Sequence, residues 1–188
     1  MIDYGDFEML DAARANSKLT DLSLTFETLT LDEFSSKRQS GESRYFFRSG
    51  HEGIKYFSNP WCLGSDREDY TYFVCTGSPR DEFFHGEDLD GNAISYTDTI
   101  TPVLGIAELQ VNPYDRSVIW LKYVSVAEGF HGLGIGRTLA TQIATFMKSS
   151  GLKLSRSASN ELAKERGFQK MMSDILNKEG VNWTQTES

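Results

Sequence analysis

Residues 117–149 read SVIWLKYVSVAEGFHGLGIGRTLATQIATFMKS, a buried strand, a glycine-rich turn and an amphipathic helix in immediate succession. Strict alternation from Val118 to Val126 predicts Val118, Trp120, Val124 and Val126 on one face and Ile119, Leu121 and Tyr123 on the other. Both faces are largely apolar, as expected of a strand covered on both sides. Gly129, Gly132, Gly134 and Gly136 follow, and then Ile135, Leu139, Ile143, Phe146 and Met147 recur at helical spacing. That spacing predicts a helix that starts within the glycine run and ends near Gly151.

Glycines at 132, 134 and 136 leave successive backbone N–H groups uncovered by side chains, at the end of a helix whose dipole presents about half a positive charge. A turn of that kind binds phosphate or pyrophosphate. Arg137 and Thr138 follow in the first turn, where a guanidinium and a hydroxyl could reach the same oxygens. Glycine-rich turns between strand and helix also occur for packing alone. The dinucleotide fingerprint fails because Arg137 stands where its third glycine belongs, and no Gly-Lys-Ser/Thr closes a P-loop.

The stretch closely resembles the GCN5-related N-acetyltransferases, whose signature is Q/R-x-x-G-x-G/A between the fourth strand and the third helix. Here it stands as His131, Gly132, Leu133, Gly134, Ile135, Gly136, departing from the pattern only at its first letter. The resemblance implies an α/β (α+β) fold with a mixed, mostly antiparallel central sheet flanked by helices. It also implies acetyl-CoA as acyl donor, its pyrophosphate held by the backbone amides of the run. In the family the strand before the run splays from its neighbour, so the amides of Val124 and Val126 would pair with the thioester carbonyl and the pantetheine. The cofactor contacts so implied are Val124, Ser125, Val126, His131, Gly132, Leu133, Gly134, Ile135, Gly136, Arg137, Thr138 and Asn160. An imidazole is mostly neutral at pH 7, so His131 should contribute less than arginine would.

At 188 residues the chain fits one domain spanning 1–188. Within it we expect an N-terminal segment at 1–20, an acidic loop insertion at 77–101 and a C-terminal tail at 178–188. The formal net charge is −8, from 27 acidic and 19 basic residues. This disfavours a nucleic-acid groove and makes a cationic small molecule or a basic protein segment the easier partner. No apolar run approaches the roughly 18 residues of a membrane span, and MIDYGDFEML is acidic where a secretory signal needs bases. A reducing cytoplasm is therefore the expected location, with Cys62 and Cys75 as free thiols.

Leu22, Leu24 and Phe26 alternate with polar residues as a first strand, and Thr30 or Asp32 can cap a helix running from about Leu31 towards Arg38. Residues 40–69 are polar and aromatic, and Ile54, Phe57 and Trp61 could share a helix face. Strands are expected at 70–76 and 103–111, the second forming an antiparallel hairpin with the central strand through Asn112–Asp115. The intervening 77–101 carries six acids and one arginine and reads as a solvated flap. Asp88, Asp90 and Asn92 suggest calcium, but Gly91 is misplaced and no glutamate closes the loop, so no metal site is expected. After Gly151, residues 153–155 suit a short strand. Ser159 or Asn160 can cap a further helix, and Met171, Met172, Ile175 and Leu176 look helical. Shortened C-terminal strands are the consequence.

Two departures from the family bear on chemistry. Gly167 and Phe168 match the end of its Y-x-x-x-G-F pattern, but Ala163 stands at the tyrosine that commonly protonates the leaving thiolate. The glutamate often placed on the central strand is replaced by Trp120. An amine of pKa near 10.4 is neutral in only about one part in 2,500 at pH 7, roughly 4.6 kcal/mol of deprotonation, so a base or a dry acidic site must help. Glu108, alternating with Ile106 and Gln110 on the neighbouring strand, is the best remaining carboxylate, and burial would raise its pKa towards a useful value. Tyr123 is a candidate acid or orienter.

The reading is an N-acetyltransferase moving an acetyl group from acetyl-CoA to a primary amine by direct attack. The acceptor would be an amine-bearing small molecule or a protein. The rival reading keeps the fold and drops the reaction, leaving a CoA-binding interaction protein with the acidic flap as its contact surface.

Overall fold

The computed structural model describes residues 23–39, 44–46, 69–87, 92–127, 130–157 and 167–186. Its elements are β1 (Thr25–Thr30), α1 (Leu31–Gln39), β2 (Arg44–Phe46), β3 (Tyr70–Thr76), β4 (Arg80–Glu87), β5 (Ala93–Val111), β6 (Val118–Val126), α2 (Ile135–Ser150), β7 (Lys153–Ser157), α3 (Phe168–Lys178) and β8 (Trp183–Thr186). The sheet runs β1-β3-β5-β6-β7-β8. Its first three pairings are antiparallel and the last two parallel, the α2 crossover carrying the chain from β6 to β7. Among the described residues no helix is long and apolar enough to cross a membrane. The expected helix over Ile54, Phe57 and Trp61, Cys62, the acids Asp88 and Asp90, and Ser159, Asn160 and Ala163 lie outside the described residues.

Each sheet face buries its own cluster. Phe73, Cys75, Ala107, Leu109 and Ile119 pack under α2 and α3 through Ile135, Leu139, Ile143, Met147, Met172 and Leu176. The other face gathers Leu29, Tyr70, Tyr72, Val74 and Ile106 beneath Leu31 and Phe34 of α1. A reciprocal capping box starts α1: the Thr30 N–H donates to Glu33 at 2.8 Å, and the Glu33 N–H donates back to the Thr30 hydroxyl at 3.3 Å. Gly105 is where β5 and α2 meet, since a Cβ there would lie 2.5 Å from the Cγ2 of Ile135. Cys75 is free and buried, and burial pushes its thiol up to about 12.

Two segments differ from expectation. The 77–101 stretch, expected as a loop, forms a two-stranded ribbon in which β4 pairs with the first half of β5 from Arg80↔Ile100 to Glu87↔Ala93. Its acids suggested solvation, yet Ile94, Tyr96, Thr97 and Thr99 are strand formers. Asp81, Glu82 and Asp98 sit on this ribbon, where the Thr99 hydroxyl donates to Asp81 at 2.7 Å. The expected tail at 178–188 contains β8, four residues in parallel register with β7. Arg156 fixes it there, with its guanidinium 4.6 Å from the Trp183 ring centre and bonds to Gln185 and Ser173.

Candidate active site

Strict alternation fails along β6, and the failure builds the site. Leu109 pairs with Leu121 but Glu108 pairs with Tyr123, so Lys122 is an extra residue and forms a bulge. A bulge exchanges the faces of everything beyond it. Ile119 and Leu121 therefore face α2 together with Val124 and Val126, while Tyr123 turns to the opposite face. The expected grouping of Tyr123 with Ile119 and Leu121 is corrected accordingly.

The same bulge opens the sheet. Among the described residues β6 pairs with β7 only from Val118 to Leu121. On its other edge β6 stays paired with β5 as far as Val126, and the Ala127 N–H donates to the Leu104 carbonyl at 2.8 Å. Backbone groups alternate in direction along a strand, so Ser125 and Tyr123 bond towards β5 with Ala127. The N–H and C=O groups of Val124 and Val126 then point to the edge that β7 has left.

That edge leads into the turn at the start of α2. Gly132 and Gly134 adopt φ of 86° and 82°, and a Cβ at either would meet nothing within 4 Å. Backbone conformation demands glycine at these positions, and the space beside them is open. Gly134 caps a 16-residue helix with no side-chain cap and no acidic residue in its first turn, so the first N–H groups of α2 have no anionic side chain of their own. Gly136 is different, since its Cβ would lie 3.3 Å from Phe168, and there the missing side chain makes room for packing. His131 is half-buried at the turn, Leu133 and Arg137 are exposed, and Ile135 is buried in the core, leaving it only its backbone for a ligand. The Thr138 hydroxyl donates to the Gly134 carbonyl at 3.2 Å, so it braces the turn from within. Asn160, the remaining expected contact, lies outside the described residues. The uncapped amides, the open space and a first turn of α2 without acidic residues fit a pyrophosphate.

One strand from this edge, Glu108 is 4% exposed on the face covered by α1. Burial is the largest influence on it and raises its pKa to about 7, against the opposing effects of a hydrogen bond from Tyr72 and the charge of Lys122. Tyr72 lies directly across β3 from Glu108, and Tyr123 directly across β6. Burial pushes the Tyr123 hydroxyl above its ordinary value, partly offset by a hydrogen bond with Ser125. Phe34 stacks on Tyr72 with ring centres 4.3 Å apart and planes 8° from parallel. Trp120 pairs with Gln110 and carries the Lys122 ammonium 5.2 Å above its ring.

Reading the sequence singled out Glu108 and Tyr123 but missed Tyr72 and Phe34. Tyr72 was recoverable from alternation in β3, because pairing β3 with β5 sets Tyr72 opposite Glu108 on one face. Phe34 gave no such signal.

The model of the acetyltransferase (GNAT) family matches residues 51–170, well over half of the chain. The chain belongs to this family. The acyl donor of this GNAT chain is acetyl-CoA. Among solved structures it is similar to AtaTR bound with AcCoA, at 20% identity over 79% of this chain and 82% of the other, with a TM-score of 0.47. It is also similar to AAC(6')-Iy in complex with the bisubstrate analog CoA-S-monomethyl-acetylneamine, at 14% identity over 79% and 88%, with a TM-score of 0.41. No curated protein matches the sequence.

Proposed function

We propose that this protein is an N-acetyltransferase that passes the acetyl group of acetyl-CoA to a primary amine by direct attack, with Glu108 as general base. The observation that carries the proposal is a carboxylate buried on β5, one strand from the open edge of β6 and directly across from Tyr123, where burial raises its pKa. A base whose pKa lies near the working pH is ionised often enough to accept a proton and basic enough to hold it.

When bound, acetyl-CoA supplies an activated acetyl carbon and a thiol leaving group. The backbone amides of the 131–137 turn hold its pyrophosphate, with His131 and Arg137 as flanking contacts. Val124 and Val126 present backbone groups along the open edge and orient the pantetheine and thioester, with Ser125 between them. Glu108 takes the proton from the attacking amine. Tyr123, opposite Glu108 and bonded to Ser125, orients the reacting groups or returns a proton to the thiolate. Holding amine and thioester together supplies further rate, up to roughly 7–11 kcal/mol in good cases. The acceptor is an amine-bearing small molecule or a protein amine, which the acidic chain attracts.

The test is thiol release from acetyl-CoA with a panel of polyamines, amino sugars and lysine-bearing basic peptides. Release that depends on one acceptor class and is lost in Glu108→Gln supports the proposal. No release, with CoA still raising the melting temperature, favours a CoA-binding interaction protein. That second reading draws on the β4–β5 ribbon, where Phe83 is 60% and Tyr96 46% exposed.

A further inference from the structure

We infer that Tyr72 is the positioning residue of the reaction: its hydroxyl holds the Glu108 carboxylate in place for proton transfer. The inference rests on the reading of Glu108 as the base.

Cross-strand geometry brings the two side chains together. Tyr72 and Glu108 are direct partners in the β3–β5 ladder and project to one face, and hydrogen bonding to Tyr72 is among the influences that lower the Glu108 pKa against its burial. Tyr72 is 2% exposed, and Phe34 lies flat against its ring, so packing holds the ring in place. A donor locked by packing is what a preorganised site requires, because it loses no freedom when the reaction begins. The bond favours the ionised carboxylate and still leaves Glu108 acceptor capacity for an amine proton.

The other groups facing this pair do different things. Lys122 acts on Glu108 only through its charge and rests against Trp120. Tyr123 is opposite Glu108 but bonds Ser125. The positive charge of Arg38 opposes the burial that raises the Tyr72 hydroxyl. Tyr72 is therefore the group among these through which the carboxylate is oriented. It also links α1 to the chemistry, because Phe34 belongs to α1.

The experiment is the pH dependence of kcat/KM for the amine acceptor in wild type, Tyr72→Phe and Glu108→Gln. Tyr72→Phe keeps the ring and its stack. It should move the acid limb upward by about one pH unit, which is roughly a five-fold loss at pH 7 that recovers in more alkaline buffer, with KM for acetyl-CoA unchanged. Site-specific 3-fluorotyrosine at position 72, a stronger donor of nearly the same shape, should move the limb downward and remains informative if Tyr72→Phe fails to fold. An acid limb unmoved in both variants, with Glu108→Gln inactive, would overturn the role of Tyr72 while leaving Glu108 as the base. Full activity in Glu108→Gln would instead overturn the base itself and this inference with it.

Discussion

Replacing Glu108 with glutamine should make the protein more stable at alkaline pH while stopping its reaction. Burial holds the Glu108 pKa at about 7, above the ordinary 4.5. A carboxyl raised in this way makes its full contribution to stability below its unfolded value. It loses that contribution as pH rises through the folded one, because the folded state then has to ionise a group the unfolded chain ionised earlier. For Glu108 the loss approaches about 3 kcal/mol above pH 8 and is only about 1 kcal/mol at pH 5. Glutamine fills the same volume, accepts the Tyr72 hydrogen bond and carries no charge. Glu108→Gln should therefore exceed wild type by up to about 3 kcal/mol at pH 8.5, which is about 6–12 °C in Tm for a chain of this size, with most of the advantage gone at pH 5. Thermal and urea unfolding of both proteins at the two pH values measures this directly. An equal difference at both pH values, or a variant less stable at pH 8.5, would refute the view that burial raises the Glu108 pKa.

Gly134→Val places a β-branched residue at φ 82° and fills the open side of the turn; CoA affinity by calorimetry should fall more than about ten-fold, with about 1–3 kcal/mol lost from stability. Gly105→Ala drives a methyl group to 2.5 Å from Ile135, so the urea midpoint should fall by the equivalent of about 1–3 kcal/mol. Arg156→Met removes the bonds to Gln185 and Ser173 and the contact with Trp183; Trp183 fluorescence should change and stability fall by about 1–3 kcal/mol, with acetyl-CoA affinity unchanged.

What sequence could say about this fold depended on whether local pattern and long-range pairing agreed. They agree from Ile135 to Gly151, where helical spacing and a left-handed glycine cap mark the helix and its end, and at Tyr70–Thr76, where strand formers run unbroken. They disagree at Lys122, because a bulge is set by the partner strand and leaves no mark in a period-two pattern. Period two therefore groups Tyr123 with Ile119 and Leu121, and the bulge turns it to the opposite face. Acid-rich composition hid the ribbon at 80–87 and 93–100, whose strands become visible only in register with each other. Four residues at 183–186 were too short to declare themselves a strand without β7 beside them. Glu108 was legible because alternation with Ile106 and Gln110 sent it inward, whereas its partner Tyr72 depended on register between strands separated by ribbon and turn.

Amide NMR of the ¹⁵N-labelled protein during titration with acetyl-CoA reports on each backbone N–H of the turn and the open edge. Saturable changes should concentrate at Gly132, Leu133, Gly134, Ile135, Gly136 and Arg137, and at Val124 and Val126 on the open edge, with the β4–β5 ribbon unmoved. Saturable binding that leaves these amides unchanged would contradict binding of acetyl-CoA at this turn and edge.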